Sequence, residues 1–271
     1  MIENWDDAYD NRAHIEGSAD YPEKWAAAAL QFRQMMTNKQ LADLDIAYGD
    51  GERQRLDIFR PEGNINGLVV FIHGGYWRAF DKSCWSHLSG GATRRGWAVA
   101  MPSFDLVPAV SIREITRQVG SAISKAASLT DGPIRLTGHS AGGHLVTRMI
   151  CRDSPLAPEV KQRIDRVISI SGLHDLRPLL DTKMNDDFQM TESEAAAESP
   201  ALNQPIENVE LVCWVGADER PEFIRQSELL ANIWFGLGIK TSVHQAKDQH
   251  HFNVIDGLVD PQSALTCTLL D

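Results

Sequence analysis

Gly138-His139-Ser140-Ala141-Gly142, near the middle of the 271-residue chain, forms a Gly-x-Ser-x-Gly run. The pattern sets a serine on a sharp turn between a strand and a helix. Glycines let two backbones approach closely, and the turn pushes the hydroxyl into a cleft, as a nucleophile requires. Small-residue pentapeptides recur by chance in a chain with 20 glycines, so the flanks decide the reading. Upstream, Pro133-Ile134-Arg135-Leu136-Thr137 is short, partly β-branched and preceded by the turn pair Asp131-Gly132, which predicts a buried strand. Downstream, Leu145, Val146, Met149 and Ile150 recur at helical spacing after Gly142-Gly143. Strand, turn and helix stand in the order the motif demands.

Outward from this motif, Leu68–Ile72, Trp97–Met101, Val167–Ile170 and Leu211–Val215 are near-continuous apolar runs, the signature of parallel strands covered on both faces. Between them lie helical patterns, clearest at Ile112, Ile115, Val119, Ile123 and Ala126. Strands alternating with helices predict right-handed crossovers and a doubly wound sheet. Two polar-interrupted strands, about 43–48 and 54–59, are joined as a hairpin through Tyr48-Gly49-Asp50-Gly51, and a helix over Lys24–Met36 precedes them. The polar stretch 181–207 reads as a connection, either carrying a short helix or disordered. No repeat or interdomain linker is evident, so one domain over residues 1–271 is expected.

The formal net charge of −11 opposes nucleic acid and anionic membrane surfaces as partners. No apolar run approaches the roughly 20 residues that span a bilayer. Cys84, Cys151, Cys213 and Cys267 form no metal-ligand cluster and read as free thiols, with Cys151 in a helix and Cys213 in a strand. The acidic amino terminus lacks the apolar core of a signal peptide. A soluble cytoplasmic protein acting on a small molecule is the simplest expectation.

A serine hydrolase needs a base, a carboxylate to orient that base, and N–H donors for the oxyanion. Where the serine sits on such a turn, the partners follow in the order serine, acid, histidine. Among later histidines, His144 lies one helical turn beyond Ser140 and reads as packing. His174 precedes the best acids, and His244 falls within the last predicted strand. His250 and His251 follow that strand, and His251 is preferred because Phe252, Val254 and Ile255 anchor the next turn. The acid is expected after the strand ending at Val215, where Asp218 and Glu219 stand side by side before the helix-starting Pro221. Spacing does not separate the two. Oxyanion donors are expected from His73-Gly74-Gly75-Tyr76-Trp77, after the strand ending at Ile72, together with the Ala141 N–H.

Taken together, His73-Gly74-Gly75-Tyr76-Trp77, Gly138 to His144, Pro221-Glu222-Phe223 with Arg225-Gln226-Ser227, and His250-His251-Phe252-Asn253 resemble one group. This is the kynurenine formamidase (arylformamidase) branch of the α/β-hydrolases, near the hormone-sensitive-lipase-like esterases. The resemblance runs from about Tyr9 onward, and Tyr-Trp in place of the esterase loop's third glycine is its most specific element. It implies an α/β-hydrolase fold: a doubly wound, mostly parallel eight-stranded sheet with helices on both faces and an N-terminal helical segment (1–40) as cap. It further implies Ser140 as nucleophile and His251 as base. It selects Glu219 as acid, two residues before Pro221, where those enzymes carry aspartate. The implied reaction is hydrolysis of an N-formyl aryl amine such as N-formylkynurenine, without metal or organic cofactor; the alternatives are a broad-specificity carboxylesterase and, in another class, a catalytically silent α/β-hydrolase-fold binding module. Tyr76 and Trp77 would then be substrate contacts, forming an aromatic wall, or else core packing beneath the cleft. Arg78 would face a substrate carboxylate or lie at the surface. Trp5, Tyr9, Tyr21 and Trp25 read either as a cap over the site or as a homodimer contact.

Overall fold

The computed structural model describes residues 2–271. Eight strands, β1 (Ala42–Ala47), β2 (Arg55–Phe59), β3 (Leu68–Ile72), β4 (Ala98–Pro102), β5 (Ile134–His139), β6 (Ile164–Ile170), β7 (Glu210–Gly216) and β8 (Lys240–Ala246), form one sheet in the order β1-β2-β4-β3-β5-β6-β7-β8. β1, β2 and β4 pair antiparallel, and from β4 through β3 to β8 every pairing is parallel. This is the sheet the apolar runs predicted.

The ten α-helices among the described residues are α1 (Trp5–Tyr9), α2 (Tyr21–Asn38), α3 (Gly90–Arg94), α4 (Ile112–Ala127), α5 (Ala141–Met149), α6 (Pro158–Lys161), α7 (Asn185–Phe188), α8 (Glu192–Ala197), α9 (Pro221–Gly236) and α10 (Ala264–Leu270). Strand side chains alternate between two cores, as the two-residue period requires. From β3, Leu68, Val70 and Ile72 join α4, α5 and α9 on one face. Val69 and Phe71 join α2, α3 and α10 on the other. Burial on both faces explains why these strands read as unbroken hydrophobic runs rather than alternating ones.

The stretch 181–207 takes the short-helix form, as α7 and α8. Its polarity concealed buried anchors. Glu198 accepts a hydrogen bond from Thr116 Oγ1 at 2.7 Å and lies 3.4 Å from Arg148 Nε, while Phe188, Met190 and Ala195 are buried in the α5 core. Cys151 falls just past α5, bridged to Pro205, rather than inside the helix. All four cysteines are free thiols.

Candidate active site

β5 delivers His139 to its carboxyl end, and α5 begins at Ala141, so Ser140 alone makes the reversal. Its backbone sits at φ 56°, ψ −117°, a conformation that costs a non-glycine residue about 1–3 kcal/mol and persists only where the surroundings hold it. They do so tightly. The Ser140 N–H donates to the Ile170 carbonyl at 2.8 Å, and its carbonyl accepts from His144 N at 3.1 Å. A Cβ on Gly142 would lie 1.9 Å from the Ile72 carbonyl oxygen, so only glycine allows α5 to start this close to β3.

His251 and Glu219 come from the loops after β8 and β7. The His251 Nδ1–H donates to Glu219 Oε2 at 2.7 Å, with both side chains buried. Glu219 Oε1 accepts from the Ser171 hydroxyl and from Gly216 N at 2.9 Å, so the carboxylate is saturated with donors and held in one orientation. That contact fixes the imidazole tautomer and leaves Nε2 as the ring nitrogen available to the cleft, which Ser140 and His251 both line. Asp218, one residue away, is exposed and makes no hydrogen bond to the imidazole among the described residues. The structure thus separates two carboxylates that spacing could not.

Gly74 runs against the serine: a Cβ there would lie 3.1 Å from Ser140 Cβ. Its carbonyl accepts from His73 Nδ1 at 2.7 Å. Gly75, Tyr76, Trp77 and Phe80 all take positive φ, at 107°, 49°, 57° and 70°, which winds the loop tightly beside the serine. Ala141 opens α5, so its N–H lacks an intrahelical acceptor, and among the described residues the Gly75 N–H also donates to none.

The tight winding splits the Tyr-Trp pair. Tyr76 lines the cleft, and its hydroxyl donates to the Tyr9 carbonyl at 2.6 Å. Trp77 does not line it. At 1% exposure it lies in the core beneath, edge-on to His144 and Phe188, so the expectation of Trp77 as a substrate contact is corrected to core packing. Consecutive left-handed residues turn the two side chains to opposite sides of the loop.

The cleft has a volume of about 550 Å³. Its aromatic lining is Tyr9, Trp25, Tyr76, Phe80, Trp85 and Phe252, and Arg78 sits at its rim, paired with Asp187 at 2.7 Å. Phe80 and Trp85 escaped the sequence reading, and Phe252 was read only as an anchor of the turn after His251, since single aromatics far apart in sequence signal only burial. Residues of the N-terminal segment, among them Asp6, Tyr9, Asn11 and Trp25, line one side of the cleft. Tyr9 Oη donates to Glu222 Oε1 at 2.7 Å, and burial with that carboxylate pushes the phenol's pKa up. Tyr21 Oη meets His250 Nε2 at 3.2 Å, which gives His250 a structural place outside the His251–Glu219 pair.

Buried histidines frame the floor. His139 Nε2–H donates to the His251 carbonyl at 2.8 Å, and burial followed by the nearby His251 holds His139 well below the usual imidazole pKa. Burial lowers His73 to about 4, and it lowers His144 and His174 to about 3. His144 Nε2–H donates to the Glu198 carbonyl at 2.7 Å, a packing role as expected. His174 contacts Ser169 and lies outside the cleft, and His244 stacks on Trp214 within β8. Among the described residues no group of three or more His, Cys, Asp or Glu side chains is arranged to hold a metal ion. No described helix is long and apolar enough to cross a membrane.

Comparison with known proteins agrees with this fold. The BD-FAE family model matches residues 56–229, more than half of the chain. Kynurenine formamidase of Salmo salar is 30% identical over 242 residues, covering 84% of this chain and 80% of that protein. The crystal structure of a candidate thioesterase from Silicibacter sp. superposes with a TM-score of 0.94 at 49% identity over 100% of both chains. An esterase from Pyrobaculum calidifontis shares the fold, with a TM-score of 0.70 at 16% identity over 92% of this chain and 90% of that one. The chain belongs to the BD-FAE family and is an α/β-hydrolase of kynurenine formamidase-like type.

Proposed function

We propose that this hydrolase cleaves an N-formyl aryl amide, of which N-formylkynurenine is the type, by way of a formyl-enzyme. The His251–Glu219 contact beside a serine on a strained turn carries the reading. Ser140 Oγ attacks the formyl carbon while His251 Nε2 takes its proton. The N–H groups of Gly75 and Ala141, with Gly74 keeping the loop against the serine, stabilise the tetrahedral oxyanion. The imidazolium then protonates the departing aryl amine. Water, deprotonated by the same nitrogen, releases formate and restores Ser140. Glu219 keeps the imidazole in the required tautomer and offsets its charge. In this reading residues 1–271 act as one domain, with the segment 1–40 as its cap.

The kynurenine formamidase relatives and the aromatic lining of the cleft support an aryl substrate. Edge and stacked ring contacts contribute about 0.5–1.5 kcal/mol beyond burial. A second reading, hydrolysis of a thioester or simple carboxylester, is favoured by the full-length similarity to the candidate thioesterase.

The decisive assay compares kcat/KM across N-formylkynurenine, aryl esters and acyl thioesters. A large preference for the formamide is expected, and a large preference for esters or thioesters overturns that assignment. Ser140→Ala should lower turnover by about 10⁴-fold or more and abolish labelling by a fluorophosphonate probe. Retained activity in folded Ser140→Ala protein sinks the mechanism altogether.

A further inference from the structure

Two histidines line the cleft among the described residues, and the proposed chemistry uses only His251. The other, His139, immediately precedes Ser140 at the end of β5, is 4% exposed, and reaches across to the loop after β8. Its Nε2–H donates to the His251 carbonyl at 2.8 Å, and the two rings lie 4.6 Å apart, centre to centre, at 42°. Its Nδ1 is sealed from solvent without a partner, against the loop after β3, where a Cβ on Gly74 would come within 3.1 Å of it.

A packing role does not account for this side chain. A carbonyl only accepts, so the proton sits on Nε2 and the neutral ring keeps a bare lone pair on Nδ1. A buried lone pair without a donor costs free energy that an apolar group of the same shape would avoid. What imidazole supplies here, and a phenyl ring would not, is the Nε2–H for the His251 carbonyl. Burial followed by the neighbouring His251 keeps His139 uncharged, so it sets no second positive charge beside an imidazolium at His251.

Glu219 fixes the far end of His251 at Nδ1, and Phe223 bounds the ring from α9 at 4.5 Å. The backbone from which that ring hangs lies in a turn and is held differently. Among the described residues its N–H donates to nothing and its carbonyl accepts only from His139. We propose that His139 is a positioning residue, tying the backbone of the base to the strand end that carries the serine and so setting the reach of His251 Nε2 to Ser140. This rests on the reading of His251 as base for Ser140 and is independent of which acyl group is cleaved. Because one nitrogen serves both acylation and deacylation, a displaced His251 slows both steps, so kcat falls while KM stays.

The test uses the full chain with His139→Phe, His139→Asn and His139→Gln, following hydrolysis of p-nitrophenyl acetate and the rate of labelling by a fluorophosphonate probe. Phenylalanine keeps the ring and loses the donor. Asparagine keeps an amide that stops short of the carbonyl, and glutamine places its NH2 where Nε2 stood. In His139→Phe and His139→Asn, kcat and the labelling rate should fall by about 10–100-fold with KM within about twofold, and His139→Gln should recover most of the loss. Should His139→Phe fail to fold, the contrast of His139→Asn with His139→Gln decides alone. Rates in His139→Asn within about threefold of the wild type, or His139→Gln as slow as His139→Asn, overturn the proposal. A raised KM at constant kcat also overturns it, since His139 would then touch substrate rather than hold the base. His251→Asn separates the two levels. If it labels as fast as the wild type, the base assignment falls and takes the positioning role with it; if it labels slowly while every His139 variant labels fast, the base stands and only the positioning role falls.

Discussion

At the floor of the cleft, Gly74 and Gly142 sit so close to the backbones of His139 and Ile72 that neither has room for a side chain, and Ser140 is held by backbone hydrogen bonds to Ile170 and His144. On the side lined by the N-terminal segment, its roof, residues 4–25 are attached through a few polar side-chain contacts and the buried rings of Tyr9 and Trp25, and the segment is largely exposed outside Ala8, Tyr9, Asn11 and Trp25. The floor joins groups that adjoin strand ends, where a doubly wound sheet gathers its reactive residues. The roof joins residues as far apart as Tyr9 and Glu222, 213 positions along the chain. On the proposed function, chemistry fixed by short backbone geometry is set apart from recognition fixed by distant side chains. If this division holds, damage to the floor removes turnover, whereas damage to the roof alters stability or choice of substrate.

The largest separation is expected at Glu219 and its neighbour. In Glu219→Gln the new amide must point its NH2 either at His251 Nδ1 or at the Gly216 N–H and Ser171, all of which now donate to the carboxylate. One choice imposes the wrong imidazole tautomer, and the other sets donor against donor. Turnover should fall by about 10²–10⁴-fold with the fold intact. Asp218→Asn, at an exposed position, should stay within about twofold of the wild type. Steady-state kinetics on both variants checks this, and comparable losses in the two would dissolve the assignment of the acid.

The Tyr-Trp loop gives the next effect. Trp77→Ala removes a fully buried ring from between His144 and Phe188 and should cost about 3–5 kcal/mol, read as a lowered urea midpoint. A small stability loss with a large rise in KM would instead return Trp77 to the cleft wall.

This loop also marks where sequence reading stopped. The strands were legible because burial on both faces leaves unbroken apolar runs, and the serine turn was legible because its geometry needs glycine at fixed offsets. His251 followed from chain order. Glu219 against Asp218 was not separable by spacing alone, since adjacent carboxylates differ only in the direction each side chain takes from the loop. Trp77 was ambiguous for the same reason: nothing local announces that Tyr76 and Trp77 both follow Gly75 into positive φ. The orphaned His139 Nδ1 leaves no trace in sequence, because its isolation depends on which residues pack around it.

Acid should loosen the floor before the roof. His73, His144 and His174 are buried with folded-state pKa values depressed below the ordinary 6.5, to about 4, about 3 and about 3. As pH falls below about 6.5 the unfolded chain takes up protons that the folded chain refuses. The stability these neutral groups contribute is whole above that pH and is lost progressively towards pH 3–4. Each such histidine adds up to about 1.4 kcal/mol per pH unit to the slope. Urea midpoints measured from pH 7.5 to 5 should therefore decline below pH 6.5, and a flat profile would show that these imidazoles are protonated in the folded state.

The smallest effect is expected where floor and roof meet. Tyr76→Phe keeps the ring in the cleft and deletes only the hydroxyl that donates to the Tyr9 carbonyl. The carbonyl lies at the end of α1, close enough to the cleft for water to replace the lost donor, so the cost should be about 1 kcal/mol, visible as a small shift in urea midpoint. Turnover should change far less than in Glu219→Gln, because the backbone N–H groups beside Ser140 are held by the winding of the loop rather than by this hydroxyl. A loss of turnover as deep as that of Glu219→Gln would mean that the Tyr9 carbonyl holds the oxyanion loop in place. The N-terminal segment would then belong to the reacting machinery rather than to recognition, and the contrast between floor and roof would give way to a single coupled unit.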